Sequence, residues 1–203
     1  MDYRHKIIEE AAIMFRTYGI RAVTMDMLAG NLGISKRTIY EVFRDKDELL
    51  RGVLRWMYER QSELTKMILN ESDNVIEAIF KMVDIMSGHL RSMSPAFQLD
   101  IKKHYRETIE NLKEDYELPY YDNNSEILKR GIKEGVFRED IDIGITNKCL
   151  LEVAKISNDK NVFPPDDFMN KDVARNFYIN YLRGISTQKG LDLINFYERK
   201  LST

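Results

Sequence analysis

The chain has 203 residues, 43% of them apolar, a formal net charge of −2 and a single cysteine, Cys149. That apolar share fills a real core in one large or two small domains and excludes a disordered chain. One cysteine excludes an internal disulfide and a thiolate metal cluster and fits a reducing interior. The residues Met1 to Lys6 are charged and lead into an amphipathic segment, so no secretory signal is expected. Nowhere does an apolar run approach the roughly 20 residues that span a bilayer. A cytoplasmic protein without a membrane partner is expected. Apolar residues recur at helical spacing, and Gly and Pro are few, which predicts an all-α fold.

The first helix is predicted over Tyr3 to Tyr18, where Ile7, Ile8, Ala11, Met14, Phe15 and Tyr18 form one apolar stripe and Gly19 supplies the stop. Thr24 is a favourable N-cap for a second helix ending near Asn31, followed by the turn Leu32-Gly33-Ile34. Ser35 caps a short third helix through Val42. Asp45, with Glu48 following as in a capping box, opens a long fourth helix reaching about Leu69. Further helices are predicted over about 74–93, 96–116 with a break, 120–134, 142–158, 166–187 and 190–201, with Pro95, Pro119, Gly135 and Pro164-Pro165 as boundaries. The change from short, tightly punctuated helices to long ones divides the chain by function near residue 50, into 1–50 and 51–203, with the fourth helix bridging both.

The segment Ala29 to Ser35 meets the physical needs of a helix-turn-helix. Two helices that cross closely favour a small residue, and a tight turn needs a residue tolerant of positive φ; Ala29 and Gly33 supply them. On the third helix Ile39, Val42 and Phe43 share the inner side, Arg37, Tyr40 and Glu41 face outward, and Lys36 and Thr38 lie on the flanks. Lys36 and Arg37 occupy the first turn, where the helix dipole disfavours cations. A phosphate backbone outside would offset that cost. Lys46 repeats the pattern at the start of the fourth helix. The overall charge bias is mild: residues 1–55 hold ten Lys and Arg against eight Asp and Glu. The stronger signal is a helix too short to stand alone that gives its exposed face to Lys, Arg, Thr and Tyr, residue types that contact phosphates and bases.

The run Ile8-x-x-Ala11-Ala12-x-x-Phe15-x-x-x-Gly19, then Thr24-Met25, then Leu32-Gly33-Ile34-Ser35-Lys36-Arg37-Thr38-Ile39-Tyr40-x-x-Phe43-x-x-Lys46-x-x-Leu49 resembles the TetR family of regulators over about residues 5–55. The resemblance implies a homodimeric, sequence-specific regulator of transcription, commonly a repressor released by a ligand, that binds double-stranded DNA at an inverted repeat. It implies that Thr38, Tyr40 and Lys46 contact phosphates, that Lys36 and Arg37 reach base edges, and that Thr24 and Ser35 cap helices at the DNA, with Met25 and Asp26 near its backbone. Gly30-Asn31 departs from the family pattern, which more often carries better helix formers there.

For residues 51–203 the resemblance implies a helical domain that dimerises and often holds a small molecule. Two apolar segments suit a four-helix interface: Ile145, Cys149, Leu150, Val153 and Ile156 in one, and Phe168, Val173, Phe177, Tyr181 and Leu182 in the other. Met86, His89, Met93, Phe97 and Tyr105 are candidate ligand contacts, an adaptable apolar stripe with polar handles. No cofactor or metal is expected. His5, His89 and His104 lack metal-ligand spacing, and neither a phosphate loop nor a nucleophile elbow is present, which argues against an enzyme. The competing reading is a helical interaction protein without sequence-specific DNA binding. Against a membrane-surface role, the polar side of the first helix mixes Glu9 and Glu10 with Arg16.

Overall fold

Cap residues and glycines set the helix ends in the computed structural model, which describes residues 3–115, 119–157, 162–164 and 170–201. The helices are α1 (Tyr3–Tyr18), α2 (Met25–Leu32), α3 (Lys36–Val42), α4 (Lys46–Glu71), α5 (Val75–Ser92), α6 (Pro95–Lys103), α7 (Arg106–Asp115), α8 (Pro119–Lys133), α9 (Ile143–Ser157), α10 (Asn170–Ile185) and α11 (Gln188–Leu201). No strand occurs among the described residues, and the all-α reading holds. The break expected within 96–116 falls at His104 and Tyr105, between α6 and α7.

Packing groups Met1–Glu63 with Gly88–Pro119 in one unit and Leu64–Ser87 with Tyr120–Thr203 in a second. Packing thus joins the helix-turn-helix to a later stretch of the chain. In the first unit Ile7, Ala11, Phe15, Ile20, Leu28, Ile39, Phe43, Leu49, Leu50 and Val53 are buried together, with Phe97 of α6 and Leu112 of α7 in the same core. α1 ends where Gly19 takes φ +90° and its N–H returns to the Phe15 carbonyl at 2.9 Å.

The second unit is built on Ile76, Ile79, Leu128, Phe137, Leu182 and Ile194. Arg130 of α8 donates to the carbonyls of Leu69 and Ser72, closing the end of α4, while Glu134 accepts the Val75 N–H that opens α5 at 2.8 Å. An isolated antiparallel bridge joins Phe137 and Ser186. Among the described residues no helix is long and apolar enough to cross a membrane.

Candidate nucleic-acid interface

The helix-turn-helix is fixed by local hydrogen bonds that its sequence prescribes. Thr24 sits in extended conformation, and its hydroxyl accepts the Met27 N–H at 3.2 Å, satisfying one of the free donors at the start of α2. Gly33 ends α2 in the left-handed region at φ +64°, and the following Ile34 N–H reaches the Ala29 carbonyl at 3.1 Å. Ser35 then caps α3, its hydroxyl accepting the Thr38 N–H at 3.0 Å and lying 2.9 Å from the Thr38 hydroxyl. Asn31, which departs from the family pattern, donates to Glu10 at 3.1 Å and so ties α2 to α1.

α3 is seven residues long and is held by burial of Ile39 and Phe43, both fully shielded from solvent. Arg4 of α1 stacks on the Phe43 ring, its guanidinium carbon 4.6 Å from the ring centroid. The opposite face is open. Ser35, Lys36, Arg37 and Tyr40 are exposed and Thr38 is half-buried. The Lys36 ammonium lies 2.7 Å from Asp26, and the hydrogen bond to that carboxylate holds its pKa above the ordinary lysine value. Arg37, with its side chain 89% exposed, pairs with Glu41 at 3.0 Å.

Two further sequence-predicted residues are less open. Met25 is 7% exposed, so its side chain belongs to the core and its N–H, at the start of α2, is what it can offer a phosphate. Lys46 is half-buried, donates to the Val23 carbonyl, and holds its ammonium 5.9 Å from the Phe15 ring centroid. Burial pushes the Lys46 ammonium down, with the nearby carboxylates of Asp100 and Asp47 opposing. At the start of α4, Asp45 accepts the Glu48 N–H at 2.8 Å and Glu48 accepts the Arg44 N–H at 2.7 Å, close to the expected capping box.

Of the candidate ligand contacts, the side chains of Met86 and His89 lie outside the described residues. Phe97 is buried in the first unit's core, with Met93 and Tyr105 packed against it. Burial raises the Tyr105 phenol pKa, followed in size by the charges of Asp47 and Asp100. On α9, Ile145 is 66% and Ile156 47% exposed and Cys149 is exposed between them; Phe177 of α10 is 38% exposed. Phe168 lies outside the described residues. The Tyr181 hydroxyl donates to the Thr146 carbonyl, binding α10 to α9. Among the described residues no group of three His, Cys, Asp or Glu is arranged to hold a metal ion. Sequence reasoning missed Asp100, a buried carboxylate of α6. Its signal was an acid in line with the apolar Phe97, Ile101 and Tyr105.

Residues 7–53 match the model of a family described as bacterial regulatory proteins, tetR family. The chain is 26% identical over 158 residues to the HTH-type transcriptional repressor KstR2 of Mycobacterium tuberculosis, covering 76% of this chain and 78% of that protein. The fold resembles that of Thermus thermophilus FadR, a TetR-family repressor solved with lauroyl-CoA, with a TM-score of 0.61, 18% identity and coverage of 91% and 96% of the two chains. It also resembles a transcriptional regulator of Saccharomonospora viridis solved with choline, with a TM-score of 0.67, 19% identity and coverage of 91% and 98%.

Proposed function

The chain belongs to the TetR family of bacterial regulatory proteins and is a DNA-binding regulator, and from that premise we propose that it is a cytoplasmic, homodimeric, sequence-specific repressor of transcription. The carrying observation is the face of α3, where Lys36, Arg37 and Tyr40 stand exposed on a helix whose other side is locked into the core. Lys36 and Arg37 read base edges in the major groove, while Thr38, Tyr40, Lys46 and the caps Thr24 and Ser35, with the Met25 N–H, engage the phosphate backbone. The functional division follows, with residues 1–50 for DNA and 51–203 for dimerisation and ligand.

Two-fold pairing through α9 and α10 would set two recognition helices one DNA turn apart, about 34–36 Å, and so select an inverted repeat. The exposed stripe of Ile145, Cys149 and Ile156 supports that pairing. Release by a small molecule completes the proposal, supported by the ligands of the FadR and Saccharomonospora structures, with Met86, His89, Met93, Phe97 and Tyr105 as candidate contacts. Such a ligand needs a few kcal/mol of differential affinity between bound and released states.

Charge reversal at Lys36 and Arg37 tests the assignment of the DNA face. The double variant is expected to lose binding to mixed-sequence duplex at low salt while sedimenting as the wild type does. Retained binding would place the DNA contact elsewhere, and wild-type protein that fails to bind duplex would favour a helical interaction protein.

A further inference from the structure

The DNA-binding helices are held by a polar latch from α6, which lies well beyond the residues that match the family model. Asp100 is 7% exposed, and its Oδ2 accepts the backbone N–H of Arg21 at 2.8 Å, in the loop between α1 and α2. Around that bond the two segments meet at close range. A Cβ on Gly19 would fall 2.9 Å from the Ala96 Cβ and 3.1 Å from Asp100 Oδ2, so α6 needs a glycine there independently of its φ of +90°. The Ser94 N–H reaches the Arg16 carbonyl at 2.9 Å, the Arg16 guanidinium reaches the Ser92 hydroxyl at 2.7 Å, and Arg21 Nη1 lies 3.1 Å from His104 Nε2.

The latched loop is the one that aims α2. Val23, whose carbonyl takes the Lys46 ammonium, and Thr24, the α2 cap, directly follow the residues gripped by α6. Burying a carboxylate is costly unless hydrogen bonds compensate it, and an apolar residue would fill the same site in a purely packing role. We propose that Asp100 is a positioning residue for DNA binding, fixing the Gly19–Thr24 loop and with it the entry of α2, without itself touching DNA. This inference rests on the DNA-binding reading above and adds to it a control point outside residues 1–50.

The test compares Asp100→Ala and Asp100→Asn with wild type on a duplex that the wild-type chain selects from a random pool, alongside amide hydrogen exchange. Asp100→Ala is expected to weaken binding by about tenfold or more, from loss of a hydrogen bond to a charged group, and to speed exchange at Arg21–Thr24 while α4 stays protected. Asp100→Asn keeps an acceptor oxygen and is expected to restore both. Should Asp100→Ala fail to fold, the exposed pair Ser92→Ala and His104→Ala loosens the same latch and is expected to weaken binding several-fold. Wild-type affinity in a folded Asp100→Ala, or in that pair where Ala fails to fold, overturns the inference, as does equal loss in Asp100→Asn with unchanged loop exchange. A wild-type chain that selects no duplex overturns the DNA-binding reading itself, and the inference with it.

Discussion

Each exposed cation on α3 already has an acidic neighbour: Asp26 for Lys36 and Glu41 for Arg37. Exposed ion pairs contribute little to stability and are screened by salt, so a duplex can take both cations from their partners. Lys46 is different, because its ammonium is half-buried against the Val23 carbonyl and the Phe15 ring. A phosphate would gain most from a cation already stripped of part of its water. If Lys46 keeps that position and also contacts one phosphate, Lys46→Ala is expected to reduce the slope of log affinity against log salt by about 1. An unchanged slope with weaker binding would instead assign Lys46 to holding Val23. The sequence marked Lys46 by position in a motif, but its burial depends on Phe15 and Val23, which no local pattern relates to it.

At the scale of the helix-turn-helix, two glycines of α2 make opposite predictions. Gly30 is helical, and a Cβ there would meet nothing within 4 Å, so Gly30→Ala is expected to stabilise the protein by about 0.5–1 kcal/mol. Gly33 also has open space, but its φ of +64° strains any side chain, and Gly33→Ala is expected to cost about 1 kcal/mol. Urea denaturation of the two variants reads both signs. The ends of α1 to α4 were legible because Gly19, Thr24, Gly33, Ser35 and Asp45 act on their immediate neighbours. The α6 latch was not, since Asp100 and Arg21 lie 79 residues apart. For the same reason the packing of Phe97, Met93 and Tyr105 with the first unit's core was not legible; periodicity reveals an apolar face and not the element that covers it.

For the whole molecule, the proposed recognition of an inverted repeat depends on pairing two copies. Ile145 and Ile156 leave an apolar stripe on α9 open to solvent in the single chain, and the proposed pairing surface would account for it. Ile145→Glu is expected to convert dimer to monomer in sedimentation and to abolish high-affinity DNA binding while helix content is kept. The apolar content of α9 and α10 was legible from sequence, and the resemblance supplied the idea that they pair. Their partner in space was not, because burial within one chain and burial between two leave the same pattern in one sequence.

The most direct measurement is selection of bound sequences from random duplex DNA at fixed salt by the purified wild-type chain and by Arg37→Ala. The wild type is expected to enrich an inverted repeat with half-sites one helical turn apart, and Arg37→Ala to lose that enrichment. A wild-type pool no different from the input, or the same repeat enriched by Arg37→Ala, would contradict it.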